Sequence, residues 1–312
     1  MATFASILES SARKSILVTS CDTYSGYQLA TALLKHKGKH FGRVYATYFA
    51  ANHLVEHLEK QGAGCIRLAI ADGVDVIAKA YGKADVVVIS PPVGDDQWGQ
   101  KGGSVFVSAA AEAKVAGLAM CSAINADQMS GLPMLEPLCE MEKAFDRAKA
   151  KVGVASLVRC SLHIDLLWLF RCQIASEHKI CLSAGANARF VPLAGADAAH
   201  GLCNMLVDPR FPPRTYELTG PEAVDFEAVA HTAANQLDDD IAYKQIGRKE
   251  MVEYLAQQRE ICGNGIELVA DMLEAVDRGL FAKHCGDLEE LLGKKPMSVG
   301  AYLAKNASDF KP

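Results

Sequence analysis

No apolar run of about 18 residues occurs in the 312-residue chain, so no spanning helix and no membrane insertion are expected. The opening MATFASILESSARKS lacks a basic start followed by a long apolar core. No secretory signal is visible, which makes a cytoplasmic location the plain expectation. No two of the ten cysteines stand two or three residues apart, which excludes a CxxC motif and a zinc ribbon. The histidines show no metal spacing, and G-x-S-x-G, Walker and H-E-x-x-H patterns are absent. No metal is expected. Positive charge is not in excess: 32 Lys and Arg against 37 Asp and Glu give a net charge of -5, so no nucleic-acid partner is expected. Tyrosine is missing altogether between Tyr81 and Tyr216.

What is present is an ordinary globular balance, 50% hydrophobic and 22% charged. The length suits one large domain or two fused lobes. The first half alternates short apolar runs with helical spacing. SILVTS, GRVYATYF, CIRLAIAD, ADVVVISPP and LAMCSA read as strands. SGYQLATALLKHKG, NHLVEHLEKQG, GVDVIAKAYGK and GSVFVSAAAEAKVAG read as the helices between them. Continuously apolar strands are those buried on both faces of a parallel sheet. Helices between them imply right-handed crossovers. The fold expected is α/β, a doubly wound parallel Rossmann-like sheet.

After residue 125 the alternation loosens. LPMLEPLCEMEKAFDRAKAKVG holds a long helix, VASLVRC a sixth strand and LHIDLLWLFRCQIAS a mixed apolar helix. From about residue 185 the pieces suggest a smaller α+β lobe, with strands TYEL and IAYKQI and a helix DFEAVAHTAANQL capped by Asp225. The expected division is a Rossmann-like domain over 1–160, with core strands from about 15. Residues 161–312 then form mainly the C-terminal lobe, with some segments returning to the sheet.

The first crossover, SILVTSCDTYSGYQLATALLK at 15–35, stands where a dinucleotide fold keeps its phosphate loop. Three glycines serve such a loop. The first makes the tight turn, the second admits the pyrophosphate to the backbone, and the third lets helix pack on strand. Past the second strand, Thr47 to Asn52 offer neither the acid nor the arginine that would hold a ribose or its phosphate.

The whole chain, about 14–310, resembles the NmrA-like proteins, a branch of the atypical short-chain dehydrogenase/reductases. The likeness is carried by the loop Thr19–Gly26 against TGATGxxG, by VVISPP at 87–92, and by VRC at 158–160 followed by LHIDLL. YELTGPEAVDFEAVAH at 216–231 and the segment 286–310 complete it. The family's loop glycines fall on Ser20, Thr23 and Gly26, of which only the last is kept. A Cβ at positive φ costs roughly 1–2 kcal/mol, so the β-branched Thr23 is an unfavourable choice in a turn of that kind. Asp22 brings a carboxylate to the pyrophosphate position. At about 4 Å and an effective dielectric near 20, each like-charge pair costs about 4 kcal/mol. The alternative is a rearranged loop with Asp22 turned outward or capping the helix. No cofactor is therefore expected from the loop Ser20, Cys21, Asp22, Thr23 and Gly26, and NADP is the one implied should it function after all.

The reductases of this group use a Tyr-x-x-x-Lys pair, and the tyrosine gap leaves no place for it after the fifth strand. Weak catalytic candidates are Ser122 after that strand, Lys143 on the following helix, and His163 in the old substrate cleft. The expected function is that of a non-catalytic protein kept for its fold and surface, with itself as partner. The alternatives are an NADP(H)-sensing regulator and an NAD(P)H-dependent oxidoreductase with an unusual phosphate loop. Polar, glycine-rich flanks make Cys65, Cys262 and Cys285 the candidate intermolecular disulfides, with Cys21 not excluded. A narrower likeness, resting on features and not on a motif, is to a crystal-forming protein of fungal gravity-sensing vacuoles. It implies ordered self-assembly and a vacuolar location.

Overall fold

The computed structural model describes residues 2–11, 14–258, 261 and 263–311. Nine strands are formed among these residues. They are β1 (Ser15–Val18), β2 (Arg43–Tyr48), β3 (Gly64–Arg67), β4 (Val86–Ile89), β5 (Gly117–Ala123), β6 (Val154–Cys160), β7 (Lys179–Leu182), β8 (Thr215–Leu218) and β9 (Ala242–Gln245). Seven make one sheet in the order β3-β2-β1-β4-β5-β6-β8, with every neighbouring pair parallel. The doubly wound α/β sheet expected from the sequence is the fold. Its central strands β1 and β4 are buried along their whole length, because helices cover both faces.

Two apolar layers flank the sheet. One packs the helices Gly73–Tyr81, Ser104–Glu112 and Glu136–Ala148 and runs on into the C-terminal lobe. The other packs the helices Phe4–Ser10, Tyr24–Leu34 and Gly195–Val207. β7 and β9 form a separate parallel pair. Beside it Phe190 stacks on Phe226 at 4.6 Å, and Phe226 on Tyr243 at 5.7 Å. Asp225 does cap the Phe226–Leu237 helix, its carboxylate accepting from Ala228 N at 2.8 Å.

The structure departs from the sequence reading at several places, of which three bear on the packing. The third strand stops at Arg67 and turns into a 3₁₀ segment, Ile70–Asp72, because the buried Asp95 carboxylate takes the Ile70 N–H at 2.6 Å. The stretch LHIDLLWLF is 3₁₀ over Ile164–Phe170 before an α-helix at Arg171–Glu177. Its start is tied to Leu193 by Ile164 N–H. The helix Phe4–Ser10 was not foreseen. It buries Phe4 and Leu8 and starts from a Thr3/Ser6 capping box.

Gly26 fixes the approach of the first helix to the sheet. A Cβ there would lie 2.2 Å from Ser20 O and 2.9 Å from Thr19 O. Both obstacles are backbone and cannot swing aside. Gly26→Ala is expected to lose about 2–3 kcal/mol or more, the upper range for overpacking a tight contact. The check is the urea midpoint, with the slope m unchanged.

Candidate functional site

The chain leaves β1 for β2 on one side and returns at β4 on the other. The crevice beyond the C-terminal ends of β1 and β4 is where an open α/β sheet of this kind places a ligand. The loop of residues 19–23 lies across it.

Its backbone keeps the turn without the glycine. Ser20 sits in the left-handed region at φ 56, at a cost of roughly 1–2 kcal/mol. Its hydroxyl and that of Thr19 both donate to Ser90 O, at 3.0 and 2.8 Å. Thr23 corrects the sequence reading: its φ is -97 and ψ 155, extended backbone that any residue adopts. Thr23 is the N-cap of the Tyr24–Leu34 helix. Its Oγ1 donates to Ser20 O at 2.7 Å and accepts from Gly26 N at 3.4 Å. That side chain is bound inward, where the family's second glycine would leave backbone bare.

Asp22 also differs from expectation. Its carboxylate does not cap the helix, a role that Thr23 takes. Oδ2 accepts from the main-chain N–H groups of Phe49 and Ala50, both at 3.0 Å, just past β2. Asn52 Nδ2 donates to Asp22 O at 2.8 Å and holds the loop from the other side. Burial pushes this carboxyl above its ordinary range, and hydrogen bonds from the Ala50, Asp22 and Phe49 main chain oppose that shift. A methyl group added at Gly94 would meet Asp22 Oδ2 at 3.6 Å and Thr23 Cγ2 at 3.8 Å. The loops after β1 and β4 therefore lie close against one another. A pyrophosphate needs a bare backbone between them, and these residues do not fit it.

One residue of the adenosine end escaped the sequence reading. Arg67, at the end of β3 and in register with Tyr48, places its guanidinium 5.8 Å from the Phe49 ring. A search past the second strand alone does not find it.

On the other half of the crevice, Tyr24 Oη donates to Asp165 Oδ1 at 3.1 Å, and Gly195 N donates to Asp165 Oδ2 at 2.6 Å. The loop after β6 is thereby tied to two helix starts. His163 Nδ1 lies over Gly195, 3.2 Å from where a Cβ would be. Burial holds this imidazole below its ordinary range, against the pull of Asp165.

The remaining catalytic candidates do not converge on it. Lys143 is exposed and pairs with Glu140 at 2.8 Å on the outer face of its helix. The next inward residue of that helix, Glu142, is buried against Arg159 of β6 at 3.0 and 2.5 Å. Arg159 also approaches Glu217 of β8 at 3.9 Å, which in turn holds Lys283 at 2.6 Å. Ser122 is buried at the end of β5 and its hydroxyl has no partner. No group of three metal-ligating side chains converges among the described residues.

The thiols distribute differently from their flanks. Cys65 is half-buried, its Sγ 4.0 Å from Val55 O, and burial pushes it up to about 11. Cys21 is fully buried and leaves the candidate set. Cys285 is partly accessible, and Cys262 lies outside the described residues. Among the described residues the exposed thiol is Cys172, which the sequence reading had not singled out.

No family model matches the chain, and no curated protein matches it. Solved structures do. A nucleoside-diphosphate-sugar epimerase from Staphylococcus aureus is 17% identical at a TM-score of 0.76, covering 93% of this chain and 99% of its own. The triphenylmethane reductase of Citrobacter sp., complexed with NADP(H), is 18% identical at 0.75, covering 94% and 99%. NmrA, a negative transcriptional regulator, in complex with NAD, is 12% identical at 0.67, covering 94% and 95%. None of the three is described as crystal-forming or vacuolar, and that narrower likeness gains no support from them. At these identities the likeness is one of fold: the chain has the Rossmann-like α/β fold of NmrA-like and NAD(P)-dependent epimerase and reductase structures along nearly its whole length.

Proposed function

We propose that this chain is a non-catalytic protein of the dinucleotide fold, its crevice filled by its own side chains, acting through its surface by self-association. The observation that carries the reading is Asp22. Its carboxylate occupies the amides at the end of β2, and with Thr23 it packs toward the loop after β4. The scattered positions of Ser122, Lys143 and Glu142 support the absence of catalysis. For the association, Cys172 is the exposed thiol among the described residues, and Cys65, Cys121, Cys139, Cys160 and Cys285 are partly accessible. The competing readings, an NADP(H) sensor or an oxidoreductase, both require the crevice to open for a dinucleotide.

Calorimetric titration separates them. NADPH and NADH are each expected to bind no tighter than about 1 mM, or about -4 kcal/mol. Combining Ser20→Gly, Asp22→Ala and Thr23→Gly should tighten binding at least about tenfold, about 1.4 kcal/mol. Micromolar binding by the unaltered chain would return the sensor and enzyme readings.

Sedimentation velocity tests the association. Larger species are expected under oxidising conditions, reduced by dithiothreitol and by Cys172→Ser. A chain monomeric at all concentrations with and without reductant would remove this part of the proposal.

Asp22 also makes stability depend on pH. Its folded carboxyl titrates above the ordinary 3.8, so the folded state binds this proton more tightly than the unfolded chain does. The ionised group then costs stability, fully above the folded pKa and not at all below the unfolded one. Asn keeps an oxygen for the two amides without the charge. Asp22→Asn is expected to be more stable than the unaltered chain at pH 7, the difference shrinking as pH falls toward 3.8. Thermal unfolding across that range gives the answer.

A further inference from the structure

A second hollow lies apart from the crevice loops, in a different chemical setting. It is an open pocket of about 490 Å³ between the first turn of the Gly195–Val207 helix, the turn after β8 and the segment before the Val299–Lys305 helix. That volume falls in the range of small-molecule sites. Its charges balance: Asp197 and Glu222 against Lys294 and Lys295. Neither lysine is ion-paired with a described residue, and both are exposed. Asp197 is only 7% exposed. Its Oδ2 accepts from Met297 N at 2.6 Å, which fixes the carboxylate and leaves Oδ1 without a protein donor. Pro221 and Met297 supply apolar wall to the same pocket.

We propose that this pocket binds a small zwitterion with an apolar body, of the amino-acid or dipeptide class. The ammonium goes to the Asp197 and Glu222 carboxylates, the carboxylate to the two lysine ammonium groups, and the side chain to Pro221 and Met297. A pocket with two charges of each sign favours a ligand that is neutral overall but charged at both ends. A simple anion meets Asp197 and Glu222, and a simple cation meets the lysines. Asp197 is the buried charge of the lining, and a charge-assisted bond to its carboxylate is the stronger kind.

The test is calorimetric titration of the full chain with L-leucine and L-leucyl-L-leucine, beside N-acetyl-L-leucine and L-leucinamide. Saturable binding of a free zwitterion is expected, with at least a tenfold loss when either end is blocked. Asp197→Asn keeps an acceptor for Met297 N and should retain the fold by circular dichroism while losing at least tenfold in affinity. The exposed pair Lys294→Ala/Lys295→Ala should lose as much without moving the melting temperature. Blocked ligands that bind as well as the zwitterions, variants that bind like the unaltered chain, or no saturable heat with either zwitterion at 10 times the protein-limited millimolar range would each overturn the assignment.

Discussion

Everything at the crevice depends on how closely the first helix approaches the end of β1. The contact is backbone on backbone, with Gly26 set against the carbonyls of Ser20 and Thr19. No side chain intervenes and none can. It fixes the axis of the Tyr24–Leu34 helix, the point where Thr23 must cap it, and the left-handed turn at Ser20 that delivers the chain there. Once that approach is fixed, residues 21 and 22 have little freedom. Cys21 goes into the core beneath the loop, its N–H on Thr47 O at 2.7 Å. Asp22 emerges beside the end of β2.

This separates two roles that a glycine-rich loop usually combines. One is packing, which Gly26 serves and which any sheet of this topology needs. The other is access, which needs the backbone near the helix start to be free of side chains. Here the packing glycine stays while the access positions carry a hydroxyl and a carboxylate. Ser20 accepts a left-handed φ at a modest cost, of the order of 1–2 kcal/mol. Its hydroxyl bond to Ser90 O offsets part of that cost. The turn therefore survives with its phosphate cradle altered.

The sheet was legible because buried parallel strands leave a direct signature: SILV and VVVI have no polar face to show. Gly26 was legible for the same kind of reason, since the contact it permits is local in sequence. The destination of Asp22 was not legible. Its acceptor role is satisfied by the amides of Phe49 and Ala50, and an amide has no residue identity. Thr23 was misread because a glycine position implies either a positive φ or a close approach, and sequence does not say which. Glu142 and Arg159 lie on different elements, so their pairing follows from helix packing and not from spacing. The exposure of Cys172, just after the 3₁₀ segment Ile164–Phe170, was not read from the sequence at all.

The carboxylates around the C-terminal ends of the strands share one habit. Asp22 takes the amides of Phe49 and Ala50, Asp95 takes those of Ile70 and Gln97, and Asp165 takes that of Gly195. Main-chain N–H groups in such loops and at helix starts are the groups that ordinarily receive a ligand's phosphate or carboxylate. In a binding protein they stay free until the ligand arrives, and the loops order around it. Here the chain supplies the anions itself, and the bonds to Phe49, Ala50, Ile70 and Gly195 each join segments far apart in sequence. The loops are then held in the absence of any ligand. A foreign anion must displace a tethered carboxylate whose effective concentration is set by the fold. Such an arrangement trades ligand access for a fixed outer surface, which is the property that a protein acting through its surface requires.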